Sequence, residues 1–450
     1  MQFQLSDELI EKIEFLIEQK NDEELLLHLE EVHHADIAEI LTELDLDDAT
    51  YIIKLLDSQK TSEALMELEE GVRERILENL SPKEIAEELE NMDTDDAADI
   101  ISELSEDRQQ EVIAQIEDEE HAENIVELLR FDEDSAGGLM AKELVKVNEN
   151  WNVTGCMSEM RNQAENVTRV HSIYVVDDKN KLKGRLSLKD LLTAPSNAHI
   201  RDVYIPQVDY VNVHTSGDEV ARIMQKYDLE AIPVVDEMGR LVGRITIDDI
   251  VDYIREQSEK DYQMAAGISE DVEADASIWR LTRARLPWLI LALFGGFVSV
   301  TVLGTFDAAM QQYGALFFFV PLIAAMAGNV GVQSSAIVLQ GLANDTLRGS
   351  LINRLFKEIL LSLFNGLVLA IILGIGATYL LGFDAIFGIT VGISLISVIV
   401  IASLIGTFVP IILDKQGIDP AMATGPFITT SNDICGILIY FSIAKLIFGF

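Results

Sequence analysis

The period of the hydrophobic positions changes along the chain, and the changes divide it. Over roughly residues 1–130, apolar residues recur at helical spacing, as at Ile37, Ile40, Leu41 and Leu44, among many Glu and Asp. The segment also repeats itself. DIAEILTELDLDDATYI (36–52) aligns without a gap onto EIAEELENMDTDDAADI (84–100), 48 positions later. A period of that length suits stacked helical pairs, so the pattern predicts a small solenoid-like helical domain. Ser81 followed by Pro82 marks one helix start, where the proline's missing N–H costs little.

A second repeat has a different texture. SIYVVDDKNKLKGRLSLKDLL (172–192) matches AIPVVDEMGRLVGRITIDDIV (231–251), 59 positions later. Each copy holds a β-branched run, an acidic turn, a glycine (Gly184, Gly243), a second strand and a helix start. Helical stretches at 152–165 and 217–228 precede the strands, so an α/β module is used twice. A charged helix over about 249–264 leads away. From Pro287 the chain turns apolar in runs long enough to cross a hydrocarbon core of about 30 Å. They predict membrane helices near 287–306, 314–341, 358–382, 385–413 and 421–447.

Charge follows the same division. Of 76 acids and 33 bases, only 7 acids and 8 bases fall within 277–450. The first 276 residues therefore carry nearly all of the net −43, a field that attracts cations and repels nucleic acid. Cys156 and Cys435 fall in a soluble module and a membrane helix, which excludes a disulfide framework. The opening MQFQLSDELI is polar, so the N-terminal region is expected in the cytoplasm. Arg280, Arg283 and Arg285 precede the first span, Arg348, Arg354 and Lys357 follow the second, and Lys415 follows the fourth. The connections at Asp307 and Asp384 have no base, which predicts a cytoplasmic N-terminus and an external C-terminus. Lys445, near the external end, is the exception and can snorkel.

Asp433 is the acid deepest within an expected span, and no base lies near it in sequence. A carboxylate there needs water, a cation or a partner. The alternative is a protonated aspartate bonded to a neighbouring helix. In PLIAAMAGNVGVQSSAIVLQ, Asn329 and Gln333 share a helix face, while Gly328 and Gly331 permit close approach. Interhelical packing accounts for these equally well. Pro420, Gly425 and Pro426 precede Asp433 and can free carbonyls toward a pore. A few carboxylates, carbonyls and amides suit a small hard cation held with its water, such as Mg2+, and a single aspartate per chain favours a symmetric oligomer. The sequence shows no nucleophile–base pair, Walker loop or zinc-spaced His/Cys set, so an enzyme is not expected. The adjacent His33 and His34 are expected in solvent.

Along nearly its whole length the chain resembles the MgtE family of magnesium channels. The likeness is carried by DSAGGLM (134–140), AGNVGVQSS (327–335), GIDPAM (417–422) and SNDICG (431–436). The α/β repeat is similar to a tandem of cystathionine-β-synthase (CBS) modules. The resemblance implies an acidic helical N domain (1–131), CBS modules at 132–200 and 201–252, a connecting helix and linker (253–279) and a five-helix membrane domain (280–450). It implies a homodimer in the cell membrane with one pore between protomers. Asp433 matches the family's pore aspartate, with the Thr429 carbonyl helping to hold a hydrated ion and Asn329, Gly331 and Gln333 lining the pore. Regulatory Mg2+ sites fall on Asp95 and Asp99, on Asp218, Asp228 and Asp249, and on Glu259, Asp261 and Asp419. Lys260 departs from the family's more acidic connecting helix. Some members bind ATP at the CBS modules. The rival expectations are an ion-coupled secondary transporter of another divalent cation under CBS control, and a non-transporting membrane sensor.

Overall fold

The computed structural model describes residues 5–450 except 165, 166, 168, 271, 273–275, 344, 345, 348 and 424, and the side chains of 308, 310 and 423 are also left aside. Arg348, one of the bases counted above, lies outside the described residues. The chain divides into two compact units, Met1–Arg255 and Glu256–Phe450.

The first unit opens with ten helices: α1 (Asp7–Glu18), α2 (Asp22–Leu29), α3 (His34–Glu43), α4 (Leu46–Leu55), α5 (Ser58–Met66), α6 (Glu70–Glu78), α7 (Pro82–Leu89), α8 (Thr94–Ser102), α9 (Glu106–Ile113) and α10 (Glu119–Leu128). Each is short, so its termini matter as much as its interior. Acceptor side chains close the N-termini: Asp45 caps α4, Asp57 caps α5, and Ser81 with Glu84 forms a reciprocal capping box on α7. The scarce bases close the C-termini. Lys60 donates to the Leu29 and Glu30 carbonyls at 2.9 and 2.6 Å, and His121 Nε2 meets the Leu89 carbonyl at 3.0 Å. Arg108 binds the carbonyls of Leu77 and Leu80 that end α6, and Arg73 donates to those of Leu65 and Leu68 at the end of α5. Arg73 also pairs with the carboxylate of Glu103, both side chains largely buried.

The 48-residue repeat is a repeat of core positions. Ile37, Leu41, Ala49, Ile52 and Ile53 are buried, and so are their equivalents Ile85, Leu89, Ala97, Ile100 and Ile101. One position breaks the match. The equivalent of the buried Ile40 is Glu88, whose Oε2 is buried without a hydrogen-bond partner among the described residues. Burial, opposed by Ser58 and reinforced by Glu87 and Asp57, raises this carboxyl to about 7.

The α/β part forms two sheets. In the first, β1 (Val145–Asn148) runs parallel to β2 (Ile173–Val176), followed by antiparallel β3 (Leu182–Leu186) and β4 (Ile205–Pro206), with α11 (Val153–Ala164) and α12 (Leu188–Thr193) alongside. The second repeats the plan with β5 (Val211–Asn212), α13 (Gly217–Tyr227), β6 (Ala231–Val235) and β7 (Leu241–Thr246). The modules interlock across the point where the sequence divides them. β4 lies past residue 200 yet completes the first sheet. DSAGGLM precedes the first sheet yet docks on the second: Ala136 N donates to the Thr215 carbonyl at 2.7 Å, Gly137 N to that of Val213 at 2.9 Å, and Ala141 bridges Arg244.

α14 (Ile247–Ala265) begins in the first unit and ends in the second. The second unit has five helices long and apolar enough to cross a membrane: α15 (Ile278–Gly304), α17 (Val320–Ala343) with a 3-10 entry from Gly314, α18 (Leu351–Ile375) with its continuation to Leu380, α19 (Ala385–Lys415) and α20 (Gly425–Phe448). A short α16 (Asp307–Gln312) follows α15. α15 and α18 start 9 and 7 residues before the expected spans, because their Arg-bearing first turns are helical too. α19 is the most buried, and Gly406 lets it reach α17: a Cβ there would lie 2.3 Å from the Gly331 carbonyl. At the far end of the helices from α14, the rings of Phe383 and Phe387 stack at 4.6 Å, and Tyr440 donates to the Leu316 carbonyl at 2.9 Å.

Replacing Arg73 with leucine uncaps α5 and strands the buried Glu103. It should cost about 3 kcal/mol or more. Hydrogen exchange in the full chain should show amides of α5–α8 opening well before those of the α/β part; unchanged exchange there would refute the cap.

Candidate functional site

Asp433 sits on α20, two turns from its start, half-buried. Among the described residues of its own chain no hydrogen bond or ion pair engages its carboxylate, so the alternative of an aspartate bonded to a neighbouring helix finds no support in the protomer. Its neighbours fix the rotation of the helix. Asn432 is buried, its Nδ2 donates to the Ala327 carbonyl at 3.3 Å, and a Cβ on Gly331 would come within 1.9 Å of that nitrogen. Thr430 abuts Gly295 of α15, where a Cβ would come within 1.8 Å of its methyl. Asp433 lies between these two contacts, half-buried, on the side of α20 that also carries the buried Gly436, Ile437 and Tyr440.

Asn329 and Gln333 are both exposed on one face of α17. Gly331, grouped with them in sequence, lies on the opposite side, packed between α19 and α20, as two residues turn a helix by about 200°. Pro426 is the second residue of α20, where its missing N–H leaves the ladder intact, so the helix runs unbroken past Thr429 to Asp433. The Thr429 carbonyl is therefore a helical one, and the Thr429 hydroxyl donates to the carbonyls of Gly425 and Pro426, each at 3.1 Å. A second acid lies in the membrane helices. α18 starts early enough that Glu358 lies two turns in, where Ser334 of α17 donates to it at 2.7 Å. The sequence reading left Glu358 at a span boundary.

The start of α20 meets the end of α14. A Cβ on Gly425 would lie 2.6 Å from the Ala265 carbonyl, and one on Gly267 would lie 2.5 Å from the Pro426 ring. Gly267 also needs φ +82°, which a side chain would resist. Beyond it, Ser269 N and Oγ both bind the Ala284 carbonyl of α15, and Glu270 pairs with Arg283 at 3.0 Å. Glu259 and Asp261 are exposed on α14, and Lys260 between them reaches Glu256 at 2.7 Å. Asp419 is exposed, its carboxylate accepting from Ala421 N at 2.7 Å.

In the first unit a set of acids converges from three segments. Asp93, Asp95 and Glu143 present oxygens all within 4.8 Å of one another. Asp95 is buried, and Asp96, Glu143 and Asp249 act on it electrostatically. Two carboxylates are oriented by hydroxyl and amide donors: Thr94 N and Oγ1 bind Glu143 at 3.1 and 2.9 Å, and Thr246 N binds Asp249 at 2.8 Å. The cation within reach is Arg244, buried, 3.3 Å from Asp93. One guanidinium does not balance this set. Burial first, then the neighbouring carboxylates, raises Asp95 well above the ordinary carboxylate range and Asp96 to about 8, and burial raises Asp249 against the opposing hydrogen bonds from Thr246. An oxygen-only, charge-dense and half-dry arrangement is what a hard divalent cation requires. Asp95 and Asp249, which the sequence reading assigned to different domains, act on one another here, while Asp99 adds its charge beside Asp96.

Asp93, Asp96 and Glu143 were missed. The repeat could have found two of them, because Asp45, Asp47 and Asp48 are the equivalents of Asp93, Asp95 and Asp96. Glu143 comes from outside the repeat. Asp218 and Asp228 bracket α13, so about 15 Å separates them and one protomer cannot use both on one ion. Asp228 also ends that helix at φ 51°. In the first α/β module a cleft of about 240 Å³ is lined by His171, Ser172, Arg185, Ser187 and Asp190.

Sequence profiles of known families match three parts of the chain: the MgtE intracellular N domain at 32–134, the CBS domain at 136–197 and 200–256, and the divalent cation transporter MgtE at 320–443. The magnesium transporter MgtE of Bacillus subtilis is 35% identical over 70% of this chain and 70% of its own length. That of Thermus thermophilus is 35% identical over 71% of each. This chain belongs to the MgtE family. Its cytosolic part superposes on a crystal structure of the cytosolic domain of the Mg2+ channel MgtE in complex with ATP, with TM-score 0.52 and 34% identity, over 54% of this chain and 99% of that one. The soluble part of a magnesium transporter gives TM-score 0.51 at 27% identity, over 56% of this chain and 99% of that one. For this MgtE chain the N domain, CBS tandem and helical membrane part expected from the sequence are therefore established.

The raised carboxyls make the acidic set pH-sensitive. Their folded pKa values lie above the unfolded ones, so without metal the stability they allow is full below about pH 4 and is lost as pH rises toward about 8. Added Mg2+ should raise the thermal midpoint of the purified protein more at about pH 8.5 than at about pH 5.5. Equal increments at both would show that these acids do not meet the ion.

Proposed function

We propose that two copies of this chain form a magnesium channel in the cell membrane, closed from the cytoplasmic side by the ion it conducts. The observation that carries this reading is one of connection. The helix bearing Asp249 ends against the first residues of the helix bearing Asp433. Asp433 of each protomer faces the shared pore and holds hydrated Mg2+, with Thr429 and the exposed Asn329 and Gln333 nearby. The exposed apolar faces of α15 and α18 supply surface for lipid and for the second protomer, and Gly331 serves by letting α17 and α20 approach. The arginine distribution supports a cytoplasmic N-terminus and an external C-terminus.

When cytoplasmic Mg2+ is scarce, the acids around Asp95 and Asp249 repel one another and loosen the start of α14. When it is plentiful, Mg2+ bridges Asp93, Asp95, Glu143 and Asp249, with Asp96 and Asp99 completing the field. Asp218, Asp228, Glu259, Asp261 and Asp419 add weaker sites shared between protomers. Each ion shifts the equilibrium by its difference in affinity for the two states. ATP binds at the first CBS module in the cleft lined by Arg185, Ser187 and Asp190, which supplies a cation and hydroxyl for phosphate and a carboxylate for ribose.

A second reading follows from Glu358. A further membrane carboxyl, hydrogen-bonded to Ser334, is what an ion-coupled transporter would use. Voltage-driven Mg2+ current with no second ion gradient separates channel from coupled transporter.

In vesicles containing the purified protein, Asp433→Ala should reduce Mg2+ uptake to background while the dimer stays intact. Wild-type uptake by that variant would remove Asp433 from the pore. Deleting residues 1–130 should leave uptake in place and raise the Mg2+ concentration needed to close it. Closure at the full-length concentration would take the N domain out of the sensor.

A further inference from the structure

α14 has few buried residues, and the aromatic one among them is Tyr253, one helical turn after Asp249. Two other segments converge on it. From α13, Gly217 lies against the ring, so that a Cβ would come within 2.5 Å of Cζ. The next residue, Asp218, accepts from the Tyr253 hydroxyl at 3.4 Å. From the DSAGGLM segment, the Asp134 carbonyl accepts from Gly217 N at 2.7 Å, and the Asp134 charge acts on the phenol. Burial first, then Asp218 and Asp134, holds the phenol well above the ordinary tyrosine range.

A helix that only needed filling at this point would take phenylalanine. A buried hydroxyl requires an acceptor, and the acceptor here is a carboxylate on another helix rather than a backbone carbonyl. The contact thus depends on the ionic state of its partner. The Asp218 oxygen that faces the phenol is Oδ1. The hydrogen bond is long at 3.4 Å, and a cation bound at Asp218 would fix the rotation of the carboxylate and shorten it.

We propose that Tyr253 is a positioning residue of the gate, whose hydroxyl couples cation binding at the Asp218 carboxylate to the orientation of α14. The proposal rests on the reading of the cytoplasmic region as the magnesium sensor. Asp249 and Tyr253 then hold the first two turns of α14 from different sides, one toward α8 and one toward α13. From Tyr253 the same helix runs on for about 18 Å to Ala265, so an angle set at its start is carried along it. The DSAGGLM segment gains a role as well: it brings Asp134 to this contact while fastening the N domain to the second sheet.

The test uses the purified full chain in vesicles, with protease protection of the cytoplasmic region followed across a Mg2+ titration and single-channel conductance measured in parallel. Tyr253→Phe should raise the midpoint of protection about three- to tenfold, the worth of one ordinary hydrogen bond, as suits a contact this long, with conductance unchanged. In an Asp218→Asn background the same substitution should add no further shift. Gly217→Ala, which displaces the ring without removing an acid, should shift the midpoint in the same direction. A wild-type midpoint for Tyr253→Phe, or full additivity with Asp218→Asn, overturns the proposal. If the wild type shows no Mg2+-dependent protection, the sensor reading itself fails and takes this one with it.

Discussion

Buried carboxylates held against other carboxylates set the terms for the cytoplasmic half of this molecule. Around Asp95 the fold removes charge from water without supplying enough positive charge in return; the single guanidinium of Arg244 pairs with Asp93 and also acts on Asp249. Such a site has two ways to relax. It can take up protons, which is why Asp96 titrates near 8, or it can take up a metal. Either choice changes how firmly α8, the Glu143 segment and the start of α14 hold together. The site is poised because its contacts are incomplete, and the oriented donors of Thr94 and Thr246 keep two of its members aimed inward whichever choice is made.

The membrane half follows the opposite rule. There the approach of backbones sets the geometry, through Gly331, Gly406 and Gly295, and the polar atoms are few. Because Asn432 and Thr430 are both committed to neighbouring helices, Asp433 has a defined direction without needing a partner of its own. Small residues thus do among the membrane helices what charge does around Asp95: they fix where a carboxylate points.

Much of this was legible in the sequence, for reasons that can be named. Periodicity and the two repeats revealed the solenoid, the α/β pair and the spans, because each is a local pattern. Asp433 was legible because an acid in an apolar run is conspicuous. The contribution of Glu143 was not, since it is brought to Asp95 by tertiary contact from 48 positions away. Pro426 suggested a broken helix, but its effect depends on being second in α20 rather than interior. Gly331 shares a motif with Asn329 and Gln333 yet faces away from them, which only the helix rotation decides. Glu358 was hidden by a helix that outruns its apolar stretch. Glu88 carries a lesson of the repeat itself: an aligned position preserves a location, and a different side chain there has a different task.

The commitment of bases to helix ends has a consequence for the ionic atmosphere. Lys60 and Arg108 spend their charge on carbonyls at fixed places, and Arg73 on carbonyls and the largely buried Glu103, so none of the three offsets acids elsewhere on the surface. Most of the acidic charge of the first 276 residues therefore faces solvent as a counter-ion cloud. Divalent ions enter such a cloud in preference to monovalent ones, so the sensor sites sample a local Mg2+ activity above that of the bulk. That enrichment falls as the screening length shrinks from about 10 Å at 0.1 M salt. Under the proposed function, the magnesium concentration that closes the protein is then a function of cytoplasmic ionic strength as well, and a cell that loses potassium would find closure more sensitive.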